Sequence, residues 1–185
     1  MTSDLTEITH LGEISERIKT IESSLAELQK HKGLLYYTGV TLQELVRSTL
    51  ENLGVQTEPS AVTDEFIIKL GHNRALVEVK GNTKSVVKDD LSQLIADLLV
   101  HHKTTGEDIH GLLIGNAWRL LPLDQRGGHN KPIFTQEVLK IAADSSIGLL
   151  STTELFNAFC RAVEKPTQRE EIVNKIVCGT GEITF

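Results

Sequence analysis

Cysteine is scarce in this chain: its 185 residues include only Cys160 and Cys178. Two are too few for a disulfide framework and share no metal-ligand spacing, so a disulfide-stapled scaffold is excluded and a reducing compartment fits. Long apolar runs are missing too: none approaches the ~20 residues of a membrane span, and no positively charged segment precedes an apolar one at the start. The expectation is a cytoplasmic protein without a membrane partner. Nor is there an excess of basic charge. The formal net charge of −6 argues against a protein that coats nucleic acid by charge alone, because nonspecific affinity comes from basic groups that release counterions. It leaves room for a nucleic-acid enzyme, whose metal-holding carboxylates count as negative in the same tally. No internal repeat and no low-complexity segment interrupts the sequence.

What remains is ordinary globular material, 39% hydrophobic and 24% charged, long enough for one domain with an appendage. The appendage is at the front, residues 1–33. Between Thr6 and Lys32 there is no proline, and Leu11, Ile14, Ile18, Ile21, Leu25 and Leu28 follow one another at spacings of 3, 4, 3, 4 and 3. That is the a/d seam of a coiled coil with charged residues between. Such a stripe serves either packing on the chain's own domain or self-association through this helix, and the second use predicts a homodimer.

Residues 34–165 read as the domain, with 166–185 as a C-terminal helix and tail. Thr41 is the expected cap of a helix over "LQELVRSTLENL", closed by Gly54. After "VQTEPSA" come two short strands, "EFIIKL" and "RALVEVK", joined by the tight turn "GHN" as a hairpin. Then follow an amphipathic helix "KDDLSQLIADLLVHH", a buried strand "IHGLLIGN" and a loop "RLLPLDQRGGHNKP". Helix "TQEVLKIAAD", strand "IGLLS", helix "TTELFNAFCRAV" capped by Thr152 or Thr153, and a helix over 168–177 complete the order, with "CGTGEITF" as a possible last strand. Helix, three strands, helix, strand, helix, strand, helix describes an α/β domain with a mixed sheet flanked by helices.

The strand "RALVEVKG" carries the chemistry. Alternation sends Leu76, Glu78 and Lys80 to one face and Ala75, Val77 and Val79 to the other, so a carboxylate and an ammonium share a face. Two more acids, Asp64 and Glu65, open the preceding strand, and a hairpin brings them toward Glu78. Three carboxylates and a lysine at one place repel unless a cation joins them, and hard oxygen ligands suit Mg²⁺ or Mn²⁺. An isolated Glu-x-Lys is more simply an exposed ion pair. Two basic clusters, Lys80, Lys84 and Lys88, then Arg119, Arg126 and Lys131, either contact phosphates or form solvated faces. His101 and His102 end a helix, where imidazolium favours the dipole, and Trp118 and Asn116 read as packing and turn residues.

The stretch "TDEFIIKLGHNRALVEVKG" resembles the core of the PD-(D/E)xK nuclease superfamily, and the likeness extends over about residues 42–163 with the same element order. The resemblance implies a restriction-endonuclease-like fold, and a metal-dependent nuclease that hydrolyses phosphodiester bonds in DNA, or in RNA, by attack of a Mg²⁺-bound water. It implies Asp64 or Glu65, Glu78 and the backbone carbonyl of Val79 as metal ligands, with Lys80 serving the attacking water and Gln93 facing the site from the next helix. Because neighbouring strand residues face opposite ways, one of Asp64 and Glu65 points at Glu78. Asp64 is preferred, as the shorter acid and the residue free to turn inward before the strand. Two positions depart from the pattern: relatives carry a glutamate near Gln43 and Glu44, and an aspartate in the slot that Glu65 fills. The rival to catalysis is a nuclease-fold interaction module without turnover, and a coiled-coil adaptor is a third possibility.

Overall fold

A computed structural model of the chain describes residues 2–185, and the side chains of 11–23 and 25–185. It divides into two units, Met1–Lys32 and Gly33–Phe185. The first is helix α1, Thr2–His31, an uninterrupted run of 30 residues whose last turn carries Lys30, a cation that suits the negative end of the helix dipole. Among the described residues no helix is long and apolar enough to cross a membrane.

The second unit is an α/β domain. Helix α2, Gly39–Asn52, precedes three strands, β1 (Gln56–Pro59), β2 (Phe66–Leu70) and β3 (Asn73–Gly81). Helix α3, Lys88–Thr105, leads to β4, His110–Asn116. Then come α4 (Gln136–Asp144), β5 (Gly148–Ser151), α5 (Thr152–Glu164), α6 (Arg169–Cys178) and β6 (Gly181–Ile183). The six strands lie side by side in chain order. β1, β2 and β3 form an antiparallel meander, and β3 to β6 are mutually parallel, with β4, β5 and β6 each reached by a helical crossover. The sheet is mixed and flanked by helices, as the sequence pattern predicts.

Several boundaries differ from expectation for local reasons. The first strand of the expected run of three is "QTEP", which pairs with β2 in a segment whose residues carry no strand pattern of their own. It lies at the sheet edge, where a proline is tolerated, and Glu58 bonds to both Lys69 and Arg74 across two neighbouring strands. α2 begins after Thr38, three residues before the expected cap, and the Thr38 hydroxyl donates to the Gly81 carbonyl at 3.0 Å. Ser151, not a threonine, caps α5, its Oγ accepting from Glu154 N. The terminal segment from residue 166 is no separate tail: α6 packs on β2 and β3, and β6 extends the sheet from β5.

The sheet separates two apolar layers. On one face Ile67, Leu76, Leu113 and Leu149 meet Leu91 and Leu94 of α3 and Val138 of α4, all buried. α2, α5 and α6 cover the other face, onto which Phe66, Ile68, Ala75, Val77 and Ile114 alternate. The β2–β3 turn is two residues long, between Leu70 and Asn73, with Gly71 at φ 60° as such a turn requires.

Candidate functional site

Glu78 is 1% exposed, a carboxylate inside the layer between the sheet and α3. The strand alternation is as expected, yet the armed face is not a solvated one. The parallel ladder sets Leu113 of β4 beside Glu78, which offers it no donor. On the antiparallel side the register Ile67↔Leu76 and Phe66↔Val77 brings Glu65, the residue before β2, opposite Glu78. The acid that turns to Glu78 is therefore Glu65. Asp64 is one step further out and exposed, and its backbone carbonyl accepts from Gln43 Nε2 at 3.2 Å. The preference for Asp64 is reversed by register: a residue one place removed along an antiparallel ladder faces the other side of the sheet.

Lys80 completes the group. Its Nζ lies 2.5 Å from Glu78 Oε1 and donates to Gln93 Oε1 at 2.9 Å, so α3 holds the ammonium from above while β3 holds it from below. Gln93 thus reaches the site as expected, and Val79 lies between Glu78 and Lys80, paired with Ile114. Asp97, one turn after Gln93 on the same helix face, is the acid that sequence reasoning missed. It is half-buried, its carboxyl is pushed up by burial against the pull of Lys80, and its charge acts on Glu65. The i, i+4 spacing from Gln93 was the available signal.

The electrostatics are those of a crowded acidic pair. Burial first, then the charge of Glu78 and a shared hydrogen bond with it, push the Glu65 carboxyl up to about 8, and Lys80 pulls the other way. Glu65 Oε2 and Glu78 Oε2 are buried without a hydrogen-bond partner among the described residues. Acceptor oxygens so close to one another require a proton or a cation between them. Among the described residues no group of three or more His, Cys, Asp and Glu is arranged to hold a metal, so the expected convergence of three carboxylates is reduced to Glu65 and Glu78 with Lys80.

The basic clusters divide. Lys88 pairs with Glu137 at 3.0 Å, and Lys84 is exposed. Arg126 is spent on its own chain: it donates to the carbonyls of Leu35, Arg119 and Leu121 at 2.6 to 2.9 Å and stacks 5.5 Å over the Tyr36 ring. Arg119, by contrast, keeps a buried Nε without a partner among the described residues, and its backbone N–H reaches the carbonyl of Asn82, two residues beyond Lys80. Asn116 is not a turn residue. It ends β4, buried, and donates to the Tyr37 carbonyl at 3.0 Å. Trp118 packs on the α3-side core and donates to Pro132 O, and His101 is buried in α3 rather than exposed as a capping cation.

No family model matches the chain, and no curated protein does. A solved structure, that of a protein of unknown function, AF1548, is similar with a TM-score of 0.44 at 14% identity, over 59% of this chain and 55% of that one.

Proposed function

We propose that this chain is a metal-dependent nuclease of the PD-(D/E)xK kind, with a restriction-endonuclease-like fold, acting on phosphodiester bonds of DNA. The observation that carries the reading is the buried pair Glu65 and Glu78, each with an oxygen lacking a partner, flanked by Lys80. The order α2, β1, β2, β3, α3, β4 supports it, with the acid before β2 and the Glu-x-Lys in β3, since that is the order the family resemblance implies.

The residues present fit Mg²⁺ or Mn²⁺. Glu65 and Glu78 offer hard oxygens, the Val79 carbonyl is adjacent, and a cation converts their repulsion into attraction. When bound, the ion supplies Lewis acidity toward the phosphate and lowers the pKa of water. The chain's own groups do the rest. Lys80, fixed by Glu78 and Gln93, directs an ammonium toward the attacking water and the charge that develops on the phosphate oxygens, and this preorganisation requires no movement during reaction. Leu113, Leu91 and Leu94 exclude water from behind the carboxylates. Lys84 and Arg119, at the same end of β3 and β4, are suited to the phosphates that flank the cut bond.

The test is cleavage of labelled DNA by the purified chain with Mg²⁺, with Mn²⁺ and with chelator, beside Glu78→Gln. Metal-dependent cleavage lost in the variant is expected. Folded protein inactive with every metal and with both single- and double-stranded DNA would favour the rival, a nuclease-fold interaction module in which Glu78 and Lys80 are a structural ion pair.

A further inference from the structure

α1 presents an apolar seam to solvent. Leu11, Ile14, Ile18, Ile21 and Leu25 are between 51% and 65% exposed, and they occupy the a and d positions of consecutive heptads. A stripe of that size is covered by something in a working protein. The charges beside the seam identify what. With Leu11, Ile18 and Leu25 at a, and Ile14, Ile21 and Leu28 at d, Arg17 occupies a g position and Glu22 the e position five residues later. In parallel helices in register, a g residue of one chain faces the e residue five places on in its neighbour. Arg17 of one copy then meets Glu22 of the next, and the relation repeats around the assembly. Antiparallel helices pair g with g and e with e, which discards this complementarity.

We infer that α1 joins copies of this chain in a parallel, in-register helical bundle, an interaction independent of the nuclease reading. The seam also sets the number of strands. Isoleucine at d beside leucine or isoleucine at a favours three or four parallel helices, whereas a pair prefers isoleucine at a with leucine at d. Ile14 and Ile21 at d, following Leu11 and Ile18 at a, give the first pattern, so three or four copies replace the pair expected from spacing alone. Such a bundle gathers several globular units at a high effective concentration on one ligand.

The experiment is sedimentation of the full chain at micromolar concentration, beside Ile14→Asp with Ile21→Asp, Arg17→Glu, Glu22→Arg, and an equal mixture of the last two. Expected are a mass of three or four chains for the unaltered protein and of one chain for the double aspartate variant, with its globular circular dichroism intact. Arg17→Glu and Glu22→Arg should each weaken assembly several-fold, and mixing them should tighten it again, since opposite charges then meet at every contact of a four-chain ring and at two of the three contacts of a three-chain one. A monomeric unaltered chain would overturn the inference and assign the seam to the chain's own globular unit. An aspartate variant of undiminished mass would move the interface elsewhere. A mixture no tighter than its components would overturn the parallel register, and a mass of two chains the stoichiometry.

Discussion

Glu65 lies opposite Glu78 across the β2–β3 ladder, one step beyond the Phe66↔Val77 pair, and the carboxyl groups are close enough to share a proton. Asp64, its neighbour in sequence, is exposed. The two acids should therefore separate in a metal titration of cleavage. Glu65→Gln is expected to raise the Mg²⁺ requirement by at least about tenfold, while Asp64→Asn leaves it nearly unchanged. A higher requirement in Asp64→Asn alone would show that the loop before β2 rearranges when metal binds.

The shared proton has a consequence for stability. Glu65 has an ordinary value of 4.5 and is pushed up to about 8 in the folded chain, chiefly by burial and by Glu78. A raised carboxyl keeps a proton on folding, so its contribution is full below pH 4.5 and is lost as pH rises through about 8. Metal-free protein should become less resistant to urea across that window. Glu65→Gln should flatten the dependence, and an unchanged slope in the variant would assign the effect to another group.

Lys80 neutralises a carboxylate that is 1% exposed. Removing one partner of such a pair strands the other, which costs about 3 kcal/mol or more, whereas neutralising both costs far less. In urea unfolding Lys80→Met alone should be clearly destabilised, and Lys80→Met with Glu78→Gln should recover most of the loss. Additive losses would mean that the two groups are not coupled.

Gly81 follows Lys80 and touches α2's cap. A Cβ there would come within 2.5 Å of Thr38 Oγ1 and 2.9 Å of Thr38 Cα. The second atom is backbone, so the strand must shift. Gly81→Ala should destabilise by roughly 1–3 kcal/mol, measured by thermal unfolding. A midpoint equal to the unaltered protein's would show that the β3 end yields freely.

Short-range patterns were legible in the sequence. The hairpin around Gly71, the alternation of β3 and the amphipathic α3 follow from periodicities of two and of three to four residues, which the structure keeps, whereas Gln93 beside Lys80 is what the family resemblance implies. Features set by distant partners were not. β1 is short, polar and ends in proline, and the ion pairs of Glu58 with Lys69 and Arg74 that hold it exist only after the meander forms. The choice of Glu65 over Asp64 depends on where the β2 ladder ends. Arg126 reads in sequence as either a phosphate contact or a solvated side chain, and is neither, because the carbonyls that occupy it, from Leu35 to Leu121, are far apart in the chain. Burial of Glu78 depends on α3 closing over β3, which no local pattern encodes.

In the proposed reading Glu65 and Glu78 together hold a divalent cation beside Lys80. Crystals of the chain soaked in Mn²⁺ at pH 8, where Glu65 is substantially ionised, locate the ion by anomalous scattering. A peak bonded to an oxygen of each carboxylate, absent in Glu78→Gln, is expected. Ordered crystals with no peak at this pair, under Mn²⁺ concentrations that saturate any cleavage, would contradict it.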